Sequence, residues 1–447
     1  MKLELKKDKL LKKLLYSTGY EFEDLVEKIH PADILDILHE NSDRLYEILE
    51  RLPDWLIADI LEEEEDEEKY EILKKFSDKK QKEILGEMSS DEITDLVGAL
   101  SKEDSEDVLK KIDKDDREDI DMLLSYERDT AGGIMATEFL TVKEDYTIEE
   151  TLKHLQSQEE ETENLYSLYV VDKRGILKGV VSLKDIVCSS FNKKIHDILN
   201  ENVITVPYNM DQEEVAKKFD KYGFLTIPVV DEENKILGII TVDDIVEILK
   251  DESTEDIHRL GGVDEEEKVD GSLKDAIKSR LPWLMINLLT AIFAAAVVGM
   301  FEGTISQVVT LATFMPIVTG MGGNAGTQSM TIIVRGIALG ELTGDNAKRV
   351  FFKELSAGLT TGIVIGFLIG ILGYAWERNF MFGIVIGVAM VLNMIVATMA
   401  GFIVPVILKK MKVDPALAST VFVTTATDVL GFFFFLGLAT VFIAYLV

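Results

Sequence analysis

Five long apolar segments occupy the second part of this 447-residue chain and limit its fold more than any other feature. Their approximate ranges are 282–301, 308–339, 355–376, 380–408 and 416–446. A helix needs roughly 20 apolar residues to cross a bilayer, and helices satisfy their own backbone hydrogen bonds in lipid. The sequence therefore predicts an all-α transmembrane domain with five spans over residues 273–447, embedded in a lipid bilayer.

Charge divides the chain at the same place. Residues 1–272 contain 36 Lys and Arg against 72 Asp and Glu, whereas the remainder contains 11 against 8. Such an acidic region repels nucleic acid and attracts cations. The single cysteine, Cys188, excludes a disulfide within one chain and a zinc site built from cysteines. Because the five histidines are scattered, we find no catalytic constellation and do not expect an enzyme.

Residues 1–128 show helical periodicity without sustained alternation. Short units such as HPADILDIL at 30–38 and LPDWLIADIL at 52–61 begin with a capping residue or proline and continue with apolar residues at helical spacing. Their recurrence predicts a small α-helical solenoid with an acidic surface. We interpret the glutamate run at 62–68 as a solvated helix face or loop.

An internal repeat follows in residues 129–250. VVDKRGILKGVVSLKDIV at 170–187 matches VVDEENKILGIITVDDIV at 229–246 with a constant offset of 59. Each copy predicts a β-hairpin followed by a helix start, and each is preceded by a helix. This order resembles a tandem pair of CBS domains, an α/β module, with copies at about 137–195 and 200–250. The resemblance implies a regulatory role and ATP or another adenine nucleotide as a ligand, whereas a purely structural repeat is the alternative.

Residues 251–272 are predicted to connect the repeat to the membrane, beginning with a helix that Gly261 and Gly262 interrupt. Carboxylates lie on overlapping faces of this helix at Glu247, Glu252, Glu255 and Asp256. Like charges at this spacing repel each other unless a cation bridges them. The pattern supports two interpretations, a divalent-ion site or an acidic helix without a ligand.

The second apolar segment contains an unusual polar stretch, PIVTGMGGNAGTQSMT, at residues 316–331. Glycines at membrane depth permit close helix approach or a broken helix, and amide and hydroxyl groups there must find partners or line water. The stretch is therefore either the wall of a permeation path or a packing motif; a phosphate loop would need a preceding strand. The candidate pore-lining residues are Pro316, Gly322, Gly323, Asn324, Thr327 and Gln328.

The last apolar segment carries one charge, Asp428. A lone carboxylate in a span costs about 3 kcal/mol, and no Lys or Arg lies at matching depth in the other spans. Asp428 should therefore face a polar cavity or bind a cation, with Thr424 one turn earlier on the same face. Oxygen ligands suit a hard cation such as Mg²⁺, and the absence of His and Cys from the spans argues against Zn²⁺ or Cu⁺.

Basic residues indicate the orientation of the spans. They precede the first span and lie in the loops 340–354 and 409–415, whereas the loop 301–307 contains none. The positive-inside rule then places the N-terminus in the cytoplasm and the C-terminus outside, which agrees with five spans.

The whole order of segments, together with PIVTGMGGNAGTQS, KVDPALAS and TTATDVLG, closely resembles the MgtE family of Mg²⁺ transporters or channels. This resemblance implies a homodimer in a bacterial plasma membrane, with a pore lined by the second and fifth spans of both copies. It also implies a hydrated Mg²⁺ near Asp428 and the Thr424 carbonyl. The connecting helix would act as a plug that intracellular Mg²⁺ holds closed.

The same resemblance assigns regulatory Mg²⁺ ligands residue by residue. In this chain they are Asp59, Asp91, Asp95, Glu213, Asp220, Asp244, Glu247, Glu252, Glu255, Asp256 and Asp414. Asp220 is included because Gly223 stands where the family has an acid. Two other functions stay open at this point, a CBS-regulated channel or carrier for Mn²⁺ or Co²⁺ and a membrane-anchored nucleotide sensor.

Overall fold

The computed structural model describes residues 4–157, 167–264, 267, 269, 271–417 and 419–447. The chain divides into two compact units. We call residues 1–249 the soluble unit and residues 250–447 the membrane unit. The first unit combines short helices with two small sheets, and the second unit is helical.

Among the described residues, ten short α-helices form the first part of the soluble unit, as the periodicity predicts. Capping side chains begin several of them: the Ser77 hydroxyl accepts a hydrogen bond from the Lys80 amide, and Ser101 does the same for Asp104. Their apolar stripes meet in one core that includes Ile34, among others. The helices are α1 (Glu4–Tyr16), α2 (Tyr20–Val26), α3 (Pro31–Glu40), α4 (Leu45–Leu49), α5 (Asp54–Glu62), α6 (Asp66–Leu73), α7 (Asp78–Leu85), α8 (Ser90–Ala99), α9 (Lys102–Leu109) and α10 (Lys114–Leu123).

The internal repeat folds as two three-stranded sheets of the same topology. In each sheet the first strand pairs parallel with the second, and the second pairs antiparallel with the third. The predicted hairpins are confirmed, whereas the first strands, of three and two residues, were too short to predict. The elements are β1 (Thr141–Lys143), α11 (Ile148–Ser157), β2 (Ser167–Val171), β3 (Leu177–Ser182), α12 (Leu183–Val187), β4 (Val206–Pro207), α13 (Gln212–Tyr222), β5 (Thr226–Val230) and β6 (Ile236–Thr241).

The matching glycines of the repeat have a packing role. Gly179 pairs with Val170, and Gly238 pairs with Val229, at equivalent positions in the two sheets. A Cβ at Gly238 would lie 2.6 Å from the Ala136 carbonyl oxygen, so only glycine allows this close backbone approach.

Helix α14 (Val242–Gly261) continues from the second sheet into the connector without a break. It ends where the sequence predicts, because Gly262 has a φ of +72°, a conformation that favours glycine. The helix therefore covers only the first half of the connector assigned to residues 251–272.

The membrane unit contains α15 (Leu273–Met300), α16 (Glu302–Gln307), α17 (Thr310–Ala338), α18 (Ala347–Glu377), α19 (Phe380–Lys410), α20 (Ser419–Val441) and α21 (Ile443–Leu446). Among the described residues, four helices are long and apolar enough to cross a membrane: α15, α18, α19 and α20. Helix α17 has comparable length, but its polar residues lower its hydropathy. It is one unbroken helix with Pro316 inside it, so of the two predicted forms the broken helix is wrong.

Helices α18 and α19 approach each other through glycines. A Cβ at Gly366 would lie 2.6 Å from the Gly387 carbonyl oxygen, and a Cβ at Gly383 would lie 2.6 Å from the Gly370 carbonyl oxygen. Small residues allow this approach in membranes, where lipid removes the hydrophobic drive for helix association. The pair forms a scaffold against which α17 and α20 pack.

Candidate cation path and acidic cluster

One face of α17 is polar and open. Pro316, Gly320, Asn324 and Gln328 follow one another at intervals of four residues, and all four are exposed in the single chain. Thr327 is also exposed, and Gly323 is partly exposed, with no atom within 4 Å of a Cβ built there. At this spacing the residues form a continuous stripe along the helix. The structure thus places five of the six candidate pore-lining residues on one unpartnered face.

Gly322 is the exception and corrects the prediction. It is buried on the opposite face, where a Cβ would lie 2.3 Å from Nδ2 of Asn393 on α19. That amide is fully buried and donates to the Val318 carbonyl at 2.7 Å. Gly431 on α20 also packs against Asn393. Gly322 is therefore a packing glycine, and Asn393 joins three helices.

Asn393 was missed by the sequence reasoning, although it is the only amide in the segment 380–408. Its Oδ1 is buried and lacks a hydrogen-bond partner among the residues that the structure describes. A buried oxygen without a hydrogen-bond partner costs about 1 to 3 kcal/mol of folding free energy. The signal that could have revealed it was a lone amide inside an otherwise apolar span.

A second polar contact joins α17 to α18 and α19. The Ser329 hydroxyl lies 2.9 Å from Oε2 of Glu354 and 3.3 Å from the Thr398 carbonyl oxygen. Glu354 is buried and forms an ion pair with Lys353 at 3.2 Å. Since Ser329 belongs to the polar stretch, part of that stretch serves helix packing, as the alternative interpretation proposed.

Asp428 lies on α20 and is partly exposed. Among the described residues, none forms an ion pair or a hydrogen bond with its carboxylate. The Thr427 side chain before it is fully buried and donates to the Thr424 carbonyl at 2.9 Å. Within α20 the same carbonyl also faces the Asp428 amide as its helix acceptor, so its role as an ion ligand stays a prediction. Helices α17 and α20 touch nearby, because Gly326 packs against Val423 and Thr427.

The end of α14 contacts the loop before α20 through an ion pair that the sequence reasoning missed. The Arg259 guanidinium binds both Glu255, one turn earlier, and Asp414. Thr420 adds a hydrogen bond to the Leu260 carbonyl at 2.8 Å. An arginine therefore stands between two carboxylates that were predicted to be bridged by a divalent ion.

The other connector acids lie along the same helix. Glu247, Glu252 and Asp256 are exposed or partly exposed, and each makes further interactions. The Asp414 carboxylate is fixed from a second side, since its Oδ1 accepts from the Ala416 amide at 2.8 Å. Divalent binding by these four acids stays a prediction.

In the soluble unit, acids from several elements form what we call the acidic cluster. Each member either raises the pKa of another member or has its own pKa raised by another member. Four predicted ligands of the soluble unit, Asp59, Asp91, Asp95 and Asp244, thus belong to one cluster. The cluster comprises Asp59, Glu62, Asp91, Glu92, Asp95, Glu138 and Asp244.

Asp91 at the start of α8 is the most buried member, with 8% of its surface exposed. Burial raises its pKa, the Ser89 hydroxyl opposes that rise, and the Glu138 carboxylate adds to it. Its Oδ1 lacks a hydrogen-bond partner among the described residues. A buried carboxylate in this state favours either a proton or a cation.

The neighbours of Asp91 show the same tendency. Burial and the Asp91 carboxylate raise the pKa of Asp244 to about 6, and burial raises the pKa of Glu92 to about 8 against the effect of Lys69. Partial burial, together with the Asp66 carboxylate, raises the pKa of Asp95 to about 7. The cluster therefore holds more negative charge than its basic partners neutralise.

Basic side chains reach the cluster from one side. Lys69 is almost fully buried and forms ion pairs with Glu92 at 2.5 Å and with Asp66 at 3.3 Å. Arg128 lies 3.6 Å from the Asp95 carboxylate. Neither is described in an ion pair with Asp91 or Asp244, which leaves that pair of acids as the part most suited to a divalent cation.

Glu62 and Glu92 were missed because they stand beside other acids without a distinguishing pattern, and Glu138 was missed because a single acid in a mostly apolar stretch gives no signal. Glu62 accepts a hydrogen bond from the Ser89 amide at 3.1 Å, and Glu138 accepts from the Ser90 amide at 3.1 Å. Both therefore cap the positive N-terminus of α8. Only the fold shows that they do so beside Asp91.

Asp244 also has a local role that the repeat reveals. Its Oδ2 accepts from the Thr241 amide at 3.1 Å and from the Thr241 hydroxyl at 2.5 Å, while Asp185 of the first copy accepts from the Ser182 hydroxyl at 2.6 Å. Both acids cap a helix, but Asp185 is exposed and only Asp244 lies by Asp91.

The two predicted ligands on α13 also lie outside the acidic cluster. Glu213 on α13 forms an ion pair with Lys217 at 3.3 Å, and Asp220 is exposed near the end of the same helix. Neither is described in contact with another predicted ligand. Their assignment as metal ligands stays a prediction.

The CBS pair also contains an open cleft of about 620 Å³. Residues of both copies line it, with Ser182, Lys184 and Val187 from the first and Phe224 and Thr226 from the second. A lysine, two hydroxyls and apolar walls suit a phosphorylated ligand with an aromatic ring.

These features define a multi-pass membrane protein that carries a CBS pair and a helical acidic domain on one chain. Residues 315–438 match the MgtE family of divalent cation transporters, residues 29–129 match the MgtE intracellular N domain, and residues 131–190 and 195–251 match the CBS domain. The chain is 40% identical to a magnesium transporter MgtE of Enterococcus faecalis over 328 residues, 73% of this chain and 72% of that protein. This chain belongs to the MgtE family.

Other relatives agree with that assignment. A magnesium transporter MgtE of Thermus thermophilus is 38% identical over 322 residues, 72% of this chain and 71% of that protein. The crystal structure of the cytosolic domain of the Mg²⁺ channel MgtE in complex with ATP is similar with a TM-score of 0.50 at 35% identity, covering 54% of this chain and 99% of that one. The soluble part of a magnesium transporter gives a TM-score of 0.52 at 33% identity, covering 56% and 99%.

Proposed function

We propose that this chain is a Mg²⁺-selective channel or transporter of a bacterial plasma membrane, closed by intracellular Mg²⁺ that binds its acidic soluble unit. The single observation that carries the proposal is Asp428, an intramembrane carboxylate with no described ion-pair partner, on a helix packed against the polar α17. Transport rather than catalysis fits these groups, since they are arranged to hold a cation and not to activate a nucleophile.

The path would run along α17 and α20. Asn324, Thr327 and Gln328 present amide and hydroxyl groups on the open stripe, where they suit the water shell of Mg²⁺. Asp428 supplies the negative charge, and the Thr424 carbonyl supplies a further oxygen. Mg²⁺ keeps several waters when bound, so one carboxylate and polar walls are enough to attract it.

The same geometry supports a homodimer. Within one chain the exposed side chains of the α17 stripe pack against no other helix among the described residues, and polar groups exposed to hydrocarbon are unfavourable. Two copies that face each other through this stripe would enclose a water-filled path between them. This arrangement satisfies the amides of both chains and doubles the charge supplied by Asp428.

Regulation would use the acidic cluster and the acids of α14. Without a divalent ion, crowded carboxylates repel each other and favour separation of the elements that carry them. Mg²⁺ binding to Asp91, Asp244 and their neighbours would stabilise the compact arrangement, and the equilibrium shifts toward it by population shift. We further propose that ATP binds the CBS cleft. We also propose that the N-terminus lies in the cytoplasm and the C-terminus outside.

The experiment that tests this function is Mg²⁺ flux into liposomes that contain the purified full-length protein. We expect uptake that exceeds protein-free liposomes and that falls as Mg²⁺ on the side of the soluble unit rises. No flux under any condition would support the alternative of a membrane-anchored sensor and reject transport. Faster flux of Mn²⁺ or Co²⁺ than of Mg²⁺ would reject Mg²⁺ selectivity.

A further inference from the structure

A histidine and two glutamates that do not belong to the acidic cluster meet in the soluble unit. His39 lies in the last turn of α3, Glu64 follows α5, and Glu68 lies in the first turn of α6. One ligand atom from each side chain can be chosen so that all three lie within 4.8 Å of one another. We propose that these residues form a binding site for a borderline transition-metal ion such as Zn²⁺.

Glu64 is held in place at the centre of this site. Its side chain is 5% exposed although it belongs to the glutamate run that we had interpreted as solvated. Oε2 lies 2.6 Å from Nε2 of His39, and Oε1 accepts from the Glu65 amide at 3.2 Å. A buried carboxylate needs a compensating positive charge or hydrogen bond, so its burial beside an imidazole is an observation separate from the clustering.

The surrounding helices fix the spacing of the three ligands. Leu38 and Leu61, next to His39 and close to Glu64 in sequence, are at most 1% exposed and belong to the same apolar core. The Glu68 amide donates to the Glu65 carbonyl at 2.9 Å, which sets the first turn of α6. The ligands therefore stand on packed elements, as a defined metal site requires.

Side-chain rotation alone can complete the site. Two ligand atoms bound to one ion at about 2.0 to 2.2 Å lie about 3 to 4 Å apart, so His39 Nε2 and Glu64 Oε2, now 2.6 Å apart, would have to separate slightly. His39 and Glu68 are exposed, so their side chains can make this adjustment while Glu64 stays in place. Water would fill the remaining coordination positions.

The donor set selects the class of metal. Mg²⁺ prefers oxygen ligands only, whereas an imidazole with two carboxylates suits Zn²⁺ and its first-row neighbours. Such an ion would join α3 to the turn between α5 and α6, inside the helical domain. This site is independent of the Mg²⁺ path and of the acidic cluster.

Equilibrium dialysis of the full-length protein in detergent against Zn²⁺ tests the proposal, with millimolar Mg²⁺ present to fill the oxygen-only sites. We expect wild-type protein to bind one more Zn²⁺ per chain than the His39→Gln variant binds. Because changing a group that merely supports a ligand weakens metal binding about 10- to 100-fold, His39→Gln and Glu64→Gln should each weaken it at least about tenfold.

His196→Gln is the matched control. His196 is also exposed, and its Nδ1 lies 4.0 Å from the Glu144 carboxylate, but it belongs to no cluster of three ligands among the described residues. Its replacement should leave Zn²⁺ binding unchanged. Equal losses in both histidine variants, or wild-type protein that retains no Zn²⁺, would overturn the proposal.

Thermal unfolding gives a second readout. Zn²⁺ should raise the Tm of wild-type protein, because a ligand that binds only the folded state stabilises it, and should not raise that of Glu68→Gln. Glu68 is exposed, so this variant should fold normally without metal. Mg²⁺ flux should be unchanged in both His39→Gln and Glu68→Gln, which separates this site from the proposed transport function. A Tm increase of the same size in Glu68→Gln would contradict its role as a ligand.

Discussion

In the soluble unit, the Asp91 carboxylate raises the pKa of Asp244, whereas in the membrane unit Asp428 stands without another carboxylate described beside it. Crowding makes the free energy of the soluble acids depend strongly on proton and cation concentration. Isolation gives the membrane acid an attraction for cations without a competing charge nearby. The first arrangement suits a sensor, and the second suits a path.

A third arrangement lies between these two. At the end of α14, Glu255 and Asp414 share a positive charge that the chain itself supplies, Arg259. The three cases show that the surroundings of a carboxylate, rather than its presence in an acidic sequence, determine whether it needs an external cation. Four substitutions test this comparison, in order of decreasing expected effect.

Asp428→Ala should reduce Mg²⁺ flux in liposomes at least about a hundredfold. A carboxylate about 5 Å from a divalent ion contributes several kcal/mol at an effective dielectric constant near 20, and each 1.4 kcal/mol is a factor of about ten. Glu302→Gln, an acid of the short helix α16, is the control and should keep wild-type flux. Equal flux in wild type and Asp428→Ala would show that Mg²⁺ permeation does not depend on Asp428.

Gly322→Ala should destabilise the membrane unit by about 1 to 3 kcal/mol, because the new Cβ would displace Asn393 and strain its bond to Val318. Gly323→Ala is the matched control: no atom lies within 4 Å of its Cβ, so it should unfold like the wild type. Thermal unfolding in detergent measures the difference. Equal losses of stability in the two variants would show that α17 lacks distinct packed and open faces.

Asp244→Asn should stabilise the soluble unit at pH 8 in the absence of Mg²⁺. The pKa of Asp244 rises from 3.8 to about 6 on folding, which corresponds to at most about 3 kcal/mol of unfavourable free energy in the ionised form. Screening at this partly exposed group reduces the value to about 1 to 2 kcal/mol, or a Tm increase of about 2 to 6 °C.

The pH dependence of that effect has a definite sign. Because the folded pKa is the higher one, the folded state retains a proton that the unfolded state has lost between about pH 4 and 6, and stability falls as pH rises through this range. The gain from Asp244→Asn should therefore be full at pH 8 and shrink towards pH 4. Asp185→Asn, at the equivalent exposed cap, should show no such gain. A gain of the same size in both variants would assign the effect to capping.

Arg259→Gln should raise the Mg²⁺ concentration that half-closes the channel about twofold to fivefold. The guanidinium joins Glu255 to Asp414, and a partly exposed ion pair of this kind contributes up to about 1 kcal/mol. Arg280→Gln, which removes a similar pair with Glu267, is the control. Closure at lower Mg²⁺ in Arg259→Gln would mean that the arginine competes with Mg²⁺ instead of assisting it.

The sequence predicted the parts of this fold that depend on local pattern. Apolar length gave the membrane helices, the 59-residue offset gave two equivalent hairpins, and Gly261 with Gly262 gave the end of α14. Each of these signals can be read from one segment of the sequence or from the comparison of two segments. The very short strands β1 and β4 were missed, because they form only through pairing with β2 and β5.

The candidate sites were predicted less completely, and the reason is physical. Composition and spacing identified Asp428 and most of the α17 stripe, since a charge or a run of polar groups is unusual within a membrane span. They could not show that Gly322 faces Asn393, that Arg259 stands between two acids, or that Glu64 is buried against His39. The His39–Glu64 contact joins residues 25 positions apart and the Arg259–Asp414 contact joins residues 155 positions apart, so only the packing of whole elements determines them.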